Sequence, residues 1–388
     1  MQPCDFQIMT AKNCIVITGA NGFIGSEILR ALRERGVPGS RVIAVIRAKH
    51  GLSPRQRLDQ VFSRWVRAGA ERHVAGLAQF GDAIQCVEWN DLEEALKAQS
   101  DASLIHCAAD TAFDLPIDEA RRINVELTRG LIKSVQSSGI ASISRFIYVS
   151  TAYVSGKKRG RILEEEVAAE VRLASDFHNT YEQSKWEAEQ VVRKSGLPWT
   201  IVRPAIVVGD SRSGFTLHFR VIYSVIRLWL RDVVPRAPVA RDALIDIVPS
   251  NYVAGSILRL CDLPIDRIVG RTLHLCSGEL APGPVDVMAA AGRAFGRKPL
   301  PLSPPWVLRV LLSRPVLAFC NHSMREILTT LAWHVPYLGS RQRVFDTSVA
   351  KAVLGGDFGT SPGFDEYGDR LFDYCAKSSW GHRCSTLT

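Results

Sequence analysis

Nothing in this chain is long and apolar enough to read as a membrane-spanning helix, which needs about 20 predominantly apolar residues. The strongest candidate, Phe219 to Val234, is interrupted by Arg220, Arg227 and Arg231. The first residues, MQPCDFQIMTAKNC, lack the basic region and apolar run of a secretory leader. No CxxC pair occurs among the nine cysteines at 4, 14, 86, 107, 261, 276, 320, 375 and 384. An odd, scattered set suits reduced thiols better than a disulfide framework, and no metal site is expected. There is no DNA-binding motif and no array of aromatics interleaved with basic residues, so nucleic acid is not an expected partner. These absences together predict a cytoplasmic globular protein.

The 388 residues are 46% hydrophobic and 22% charged, with 29 Gly and 19 Pro. That is ordinary folded composition and excludes disorder, collagen and coiled coil. The length allows two or so average domains, or one large α/β domain with insertions. Lys and Arg number 48 against 39 Asp and Glu, a net charge of +9. Such a surface favours anionic partners: phosphorylated cofactors, coenzyme A, acidic carrier domains, nucleic acid or anionic lipid. It is equally consistent with simple solvation, since the basic residues are dispersed and Lys157–Arg161 is the densest run.

Short β-branched runs alternate with longer helical periods, which predicts a parallel sheet wrapped by helices. Cys14–Thr18 is an apolar run without polar alternation, as a strand buried on both faces should be. It leads directly into Gly19-Ala-Asn-Gly-Phe-Ile-Gly25 and then a helix with Ile24, Ile28, Ala31 and Leu32 on one face, stopped by Gly36 and Pro38. Glycines between a strand and a helix give a tight turn, close backbone approach to a pyrophosphate, and close helix–strand packing. The helix N-terminus adds free N–H groups and a positive dipole end. The second strand, Arg41–Ile46, ends in Arg47, where an NAD site would carry a carboxylate for the ribose 2′-hydroxyl. An arginine there accommodates a 2′-phosphate and predicts NADPH. Arg55 and Arg57 could form a second jaw, or could be solvated residues of a helix face. A third strand near 83–88 leads into Asp91 and Leu92 at a turn placed to touch adenine, and a fourth, Ser103–Ala109, has small residues where the cofactor would pass. His106 inside that fourth strand reads as a core or supporting residue.

A fifth strand, Arg145–Thr151, ends in hydroxyl residues. Thirty residues later Tyr181 and Lys185 stand four apart, on one face of a helix expected to run to Arg193. A phenol of pKa about 10 is protonated at neutral pH, and a nearby ammonium is expected to lower that value. The pair can pass a proton to a carbonyl oxygen as hydride arrives, while Thr151 holds the same oxygen.

Taken together, these residues resemble the extended short-chain dehydrogenase/reductases over roughly residues 13–280. Several segments are similar to the thioester reductase and fatty acyl-CoA reductase branch: the TGANGFIG loop, His106–Phe113 with Asn124-Val125, Val149–Val154, Trp199–Gly214 and Asp246–Pro249. That branch often carries a longer Gly-Leu insertion after the third strand, which is absent between Val87 and Leu96. The resemblance implies catalytic Thr151, Tyr181 and Lys185, with the lysine also holding the nicotinamide ribose. It assigns cofactor contacts to Gly19, Asn21, Gly22, Phe23, Ile24, Gly25, Arg47, Arg57, Asp91, Leu92, Ala108, Ala109, Lys185, Pro204 and Ile206.

The expected fold class is α/β: a Rossmann-type doubly wound parallel sheet with a smaller, mainly helical C-terminal substrate-binding region. Residues 1–210, with contributions from about 243–280, would form the NADP-binding domain; 211–242 and 281–388 would form the cap. Phe219–Val234 reads as a helix with Arg220, Arg227 and Arg231 nearly in line, either a wall for an acyl chain or an ordinary amphipathic helix. A second apolar helix is expected over Ser303–Leu312, and a loose tail from about Ser378. Either helix is compatible with a membrane surface, though neither has the basic face that would indicate it. The resemblance implies NADPH-dependent reduction of an acyl thioester to an aldehyde or on to the alcohol. With no carrier or adenylation domain in the sequence, the acyl group would arrive in trans on coenzyme A or a carrier protein. The alternatives are a reductase of a lipophilic ketone or alcohol, or a non-catalytic NADP(H) sensor.

Overall fold

The computed structural model describes residues 14–69, 74–99, 101–139, 143–165, 172–232, 236–304, 306–338 and 343–381. The strands among them are β1 (Cys14–Thr18), β2 (Val42–Val45), β3 (Gln85–Val87), β4 (Ala102–His106), β5 (Ile143–Val149), β6 (Gly160–Ile162), β7 (Trp199–Pro204), β8 (Ile206–Val208), β9 (Ile247–Pro249), β10 (Thr272–Leu275) and β11 (Arg343–Phe345). Seven form one parallel sheet in the order β3-β2-β1-β4-β5-β7-β10. The order reverses between β1 and β4. In such sheets ligands bind at that switch point, outside the carboxyl ends of the strands.

Alternation along β1 explains its uniform apolarity. Ile15 and Ile17 join the apolar cluster on one face of the sheet, and Cys14 and Val16 join the cluster on the other. The helix Phe23–Glu34 follows the glycine turn and buries Ile28, Leu29 and Leu32; Gly36, in the left-handed region, ends it as expected. The Rossmann class and the helical C-terminal region are therefore both present.

Residues far along the chain return to the sheet. β11 pairs with β6, and the helix Phe364–Lys377 packs on the helix Pro284–Phe295. Buried Glu164 ties these pieces together by accepting N–H bonds from His274 (2.7 Å), Val349 (2.6 Å) and Ala350 (3.0 Å). Burial pushes its carboxyl up to about 7 against those three donors.

Two expectations about the C-terminal half change. The helix expected over Phe219–Val234 spans only Ile222–Leu230, because Val221 (φ 50°) and Asp232 (φ 57°) interrupt the helical conformation on either side. Its arginines do not share a face towards one ligand: Arg220 precedes the helix, and Arg227 packs over the rings of Phe219 and Trp380 at 5.4 and 4.8 Å. Of the tail expected to be loose, Ser378 to Gly381 is packed, while residues 382–388 lie outside the described residues. Trp380 stacks on Phe295 with ring centroids 5.5 Å apart and an interplanar angle of 11°. The expected Ser303–Leu312 helix forms over Trp306–Leu311. Among the described residues no helix is long and apolar enough to cross a membrane.

Candidate active site

The glycine turn leaves no room for side chains where the backbone must close on itself. Gly19 has φ +68°, and a Cβ there would lie 2.8 Å from the Ala108 backbone. At Gly25 a Cβ would lie 2.3 Å from the Gly19 carbonyl oxygen. The Gly22 N–H closes the turn on that same oxygen at 2.8 Å. The helix that follows has no side-chain cap at Gly22 and no acidic residue in its first turn, so its N-terminal N–H groups and dipole face the turn uncompensated. This cradle fits a dinucleotide pyrophosphate. Gly19, Asn21, Gly22, Phe23, Ile24 and Gly25 form it, with Ala108 and Ala109 on the opposing loop after β4.

At the end of β2, Arg47 is exposed. The Arg57 guanidinium donates to the Arg47 carbonyl oxygen. Proximity to Arg47, after desolvation, holds the Arg57 pKa down. Two guanidiniums therefore share one site with no carboxylate partner among the described residues. Arg55 does not join them, because it donates to the carbonyls of Gly81 (2.7 Å) and Ile84 and pins the end of the helix Val74–Ala83. At the end of β3, Asp91 is exposed while the Leu92 side chain is buried in the core, leaving only the Leu92 backbone to face a base.

Tyr181 and Thr151 meet in a cleft of about 350 Å³ outside the ends of β1, β4, β5 and β7, lined also by Gly22, Phe23, Ile24, Ala109, Pro204 and Ile206. The Thr151 hydroxyl caps the turn after β5, accepting from the Tyr153 N–H at 3.3 Å. Asn179 caps the Thr180–Arg193 helix by accepting from Glu182 N–H at 3.0 Å, which sets Tyr181 in its first turn. Asn124 locks that helix to the loop after β4: its amide donates to Ser184 Oγ at 3.0 Å, and its oxygen accepts from Asp110 N–H at 2.8 Å.

The electrostatics depart from expectation in one respect. Burial pushes the Tyr181 phenol up to about 12, partly offset by a hydrogen bond from Thr151. Lys185 does not lower it. The lysine Nζ donates to Tyr148 Oη at 2.7 Å and to the Val149 carbonyl at 2.8 Å. Burial brings its own pKa down to about 7, against the opposing pull of Glu189. His106 is a supporting residue, as expected: fully buried, it bonds Thr18 Oγ1 and Thr128 Oγ1 at 2.6 and 3.0 Å.

Aromatic residues not foreseen as site residues wall the cleft around Tyr181. Phe113 and Tyr337 stack at 4.9 Å and 4°, Tyr153 meets Tyr337 at 4.6 Å, and Phe113 meets Tyr181 at 6.0 Å. Asn179 Nδ2 holds the Tyr337 hydroxyl at 2.7 Å. Arg220 reaches across to Thr111 Oγ1 at 3.0 Å, and His218 packs on Phe23 at 4.9 Å. Phe113 and Tyr153 lie inside segments already notable in the sequence; nothing local marks Tyr337, which comes from a helix 156 positions beyond Tyr181 (337 − 181).

The family model described as male sterility protein matches residues 17–257. The chain belongs to that family. Its members thus share the thioester reductase and fatty acyl-CoA reductase type of extended short-chain fold. Among its relatives are the L-2-aminoadipate reductase large subunit of Penicillium chrysogenum, 27% identical over 65% of this chain and 18% of that protein, and fatty acyl-CoA reductase 1 of Xenopus laevis, 27% identical over 63% and 53%. The chain thus spans at most about half the length of these relatives. The terminal R domain of the myxalamid PKS-NRPS pathway shares the fold, with a TM-score of 0.75 and 24% identity over 96% of this chain and 91% of that one.

Proposed function

We propose that this protein is an NADPH-dependent reductase of acyl thioesters carried on coenzyme A or a carrier protein. The observation that carries this reading is Tyr181 beside Thr151 in an apolar, aromatic-walled cleft continuous with the pyrophosphate cradle. Relatives named as fatty acyl-CoA and aminoadipate reductases support the substrate class. NADPH rather than NADH is favoured by Arg47 and Arg57 at the end of β2, where the ribose 2′-phosphate would lie.

NADPH, when bound, supplies the hydride. The chain's own residues provide the rest. Thr151 and Tyr181 hold the carbonyl oxygen as negative charge develops on it. A phenol near 12 stays protonated at neutral pH, so Tyr181 is a donor throughout that step. Phe113, Tyr153 and Tyr337 keep water from the reacting carbon and give an apolar acyl group its surface. Breaking the C–S bond of the tetrahedral adduct then leaves an aldehyde and expels a thiolate, which takes a proton from solvent to become the thiol; a second round of reduction would give the alcohol.

The test is NADPH oxidation against a panel of acyl-CoA and carrier-bound thioesters with a thiol trap present. One thiol per NADPH identifies the aldehyde as product, and one thiol per two NADPH the alcohol. NADPH loss with lipophilic ketones but never with thiol release would overturn the thioester reading, and binding without turnover on either panel would make the protein a sensor.

A further inference from the structure

The residue that fixes Lys185, Tyr148, packs on His106, which sits in a buried polar chain whose hydrogen-bond directions can be worked out from one end. The Ala108 N–H donates to Thr18 Oγ1 at 3.3 Å, and Thr18 Oγ1 lies 2.6 Å from His106 Nδ1. Thr128 spends its own proton on the Asn124 carbonyl at 2.7 Å, so it can only accept from His106 Nε2 at 3.0 Å. His106 is therefore the Nε2–H tautomer with Nδ1 accepting from Thr18. Burial, with Lys185 nearby, brings its pKa down to about 3 and keeps it neutral. The Tyr148 ring packs on the His106 ring with centroids 5.5 Å apart. Lys185 Nζ has only protons to give, so Tyr148 Oη, 2.7 Å away, accepts from it through a lone pair.

We propose that Tyr148 is a positioning residue for Lys185: its hydroxyl and the Val149 carbonyl fix two of the three ammonium N–H groups and leave the third for the cofactor. This rests on the reading of Lys185 as a cofactor-site residue. An ammonium has three donors and no acceptor, and the two bonds to Tyr148 and Val149 account for two of them. The ammonium also stands 4.2 Å from the centroid of the Tyr148 ring, so one side chain supplies both a lone pair and a π face.

Tyr148→Phe keeps the ring and removes the lone pair. A hydrogen bond to a charged group corresponds to about one to two pKa units, so the Lys185 midpoint should fall by about one unit. The other groups facing Lys185 stay in place: Glu189 on its own helix, His106 on β4 and Cys107 in the loop after it. The readout is a pH titration of the Lys185 side-chain nitrogen by NMR in the cofactor-free full chain, assigned with Lys185→Arg. The pH dependence of NADPH affinity is measured alongside, and its limb should move by the same amount. Tyr148→Leu removes the acceptor and the π face together and should move the midpoint in the same direction by at least as much, which keeps the test available should Tyr148→Phe misfold. An unchanged Lys185 midpoint in folded Tyr148→Phe would overturn the proposal, whatever the enzyme reduces. A shifted midpoint with no thioester activity in the unsubstituted protein would instead sink the functional reading and leave the positioning role standing.

Discussion

Replacing Arg47 and Arg57 by alanine should cost NADPH affinity and leave NADH affinity nearly unchanged. Each guanidinium can make a charge-assisted hydrogen bond to a 2′-phosphate, worth about 1.5–3 kcal/mol, or roughly ten- to 150-fold in Kd. Arg47 is exposed and Arg57 only half-buried, so solvent screening places each loss near the lower figure. The two residues are coupled: Arg57 donates to the Arg47 carbonyl, so its removal both deletes a charge and frees the Arg47 backbone. Arg57→Ala is therefore expected to cost about tenfold or somewhat more, and the double variant less than the product of the singles. Raising the ionic strength should weaken NADPH binding in the unsubstituted protein and flatten in the double variant. Cofactor fluorescence titrations with NADPH and NADH, side by side, provide the assay. Parallel weakening of both cofactors, or of neither, would refute a 2′-phosphate site at the end of β2.

Three further outcomes are expected. Gly25→Ala would place a Cβ 2.3 Å from the Gly19 oxygen and 2.8 Å from Ala20 Cα, both backbone atoms; the turn must open, lowering stability by about 1–3 kcal/mol and NADPH affinity with it, and a native melt with full binding would contradict this. Burial alone would raise the Asp210 carboxyl, but Arg212 and Arg30, at 2.9 and 2.6 Å, hold it down at about 2. A folded-state pKa below the unfolded value stabilises at neutral pH, so this contribution, on the order of 2 kcal/mol, is lost as pH falls from about 4 to about 2; Asp210→Asn should flatten the urea midpoint across that window. Trp380→Ala removes a ring packed on Phe295, Phe219 and Arg227 and should cost about 2–3 kcal/mol, whereas a loose tail would cost nothing in a urea titration.

What the sequence disclosed was local. Gly19, Gly22 and Gly25 are legible because strand, turn and helix are contiguous, and steric needs fall at fixed spacings. Tyr181 and Lys185 are legible because four residues make one helical turn. The arginine jaw was half legible: Arg55 and Arg57 sit on the same helix, and only the fold shows that Arg55 is occupied by the Gly81 and Ile84 carbonyls. Spacing said that Lys185 lies near Tyr181, but not that burial and the competing acceptors Tyr148 and Val149 would leave the phenol up at about 12. The aromatic wall was the least legible, since Tyr337 reaches Phe113 and Tyr153 only through the return of the C-terminal region to the sheet. Likewise the Phe219–Val234 run reads as one amphipathic helix, yet the left-handed conformations at Val221 and Asp232 cut it to nine residues.

The central claim rests on one phenolic proton, and Tyr181→Phe tests it directly. The substitution removes only the hydroxyl and keeps the ring against Phe113, 6.0 Å away. NADPH consumption and thiol release, followed together on the best acyl thioester with unsubstituted and variant protein, should both fall by about 10²- to 10⁴-fold, with NADPH affinity little changed. A variant that releases thiol at the full rate would contradict the account.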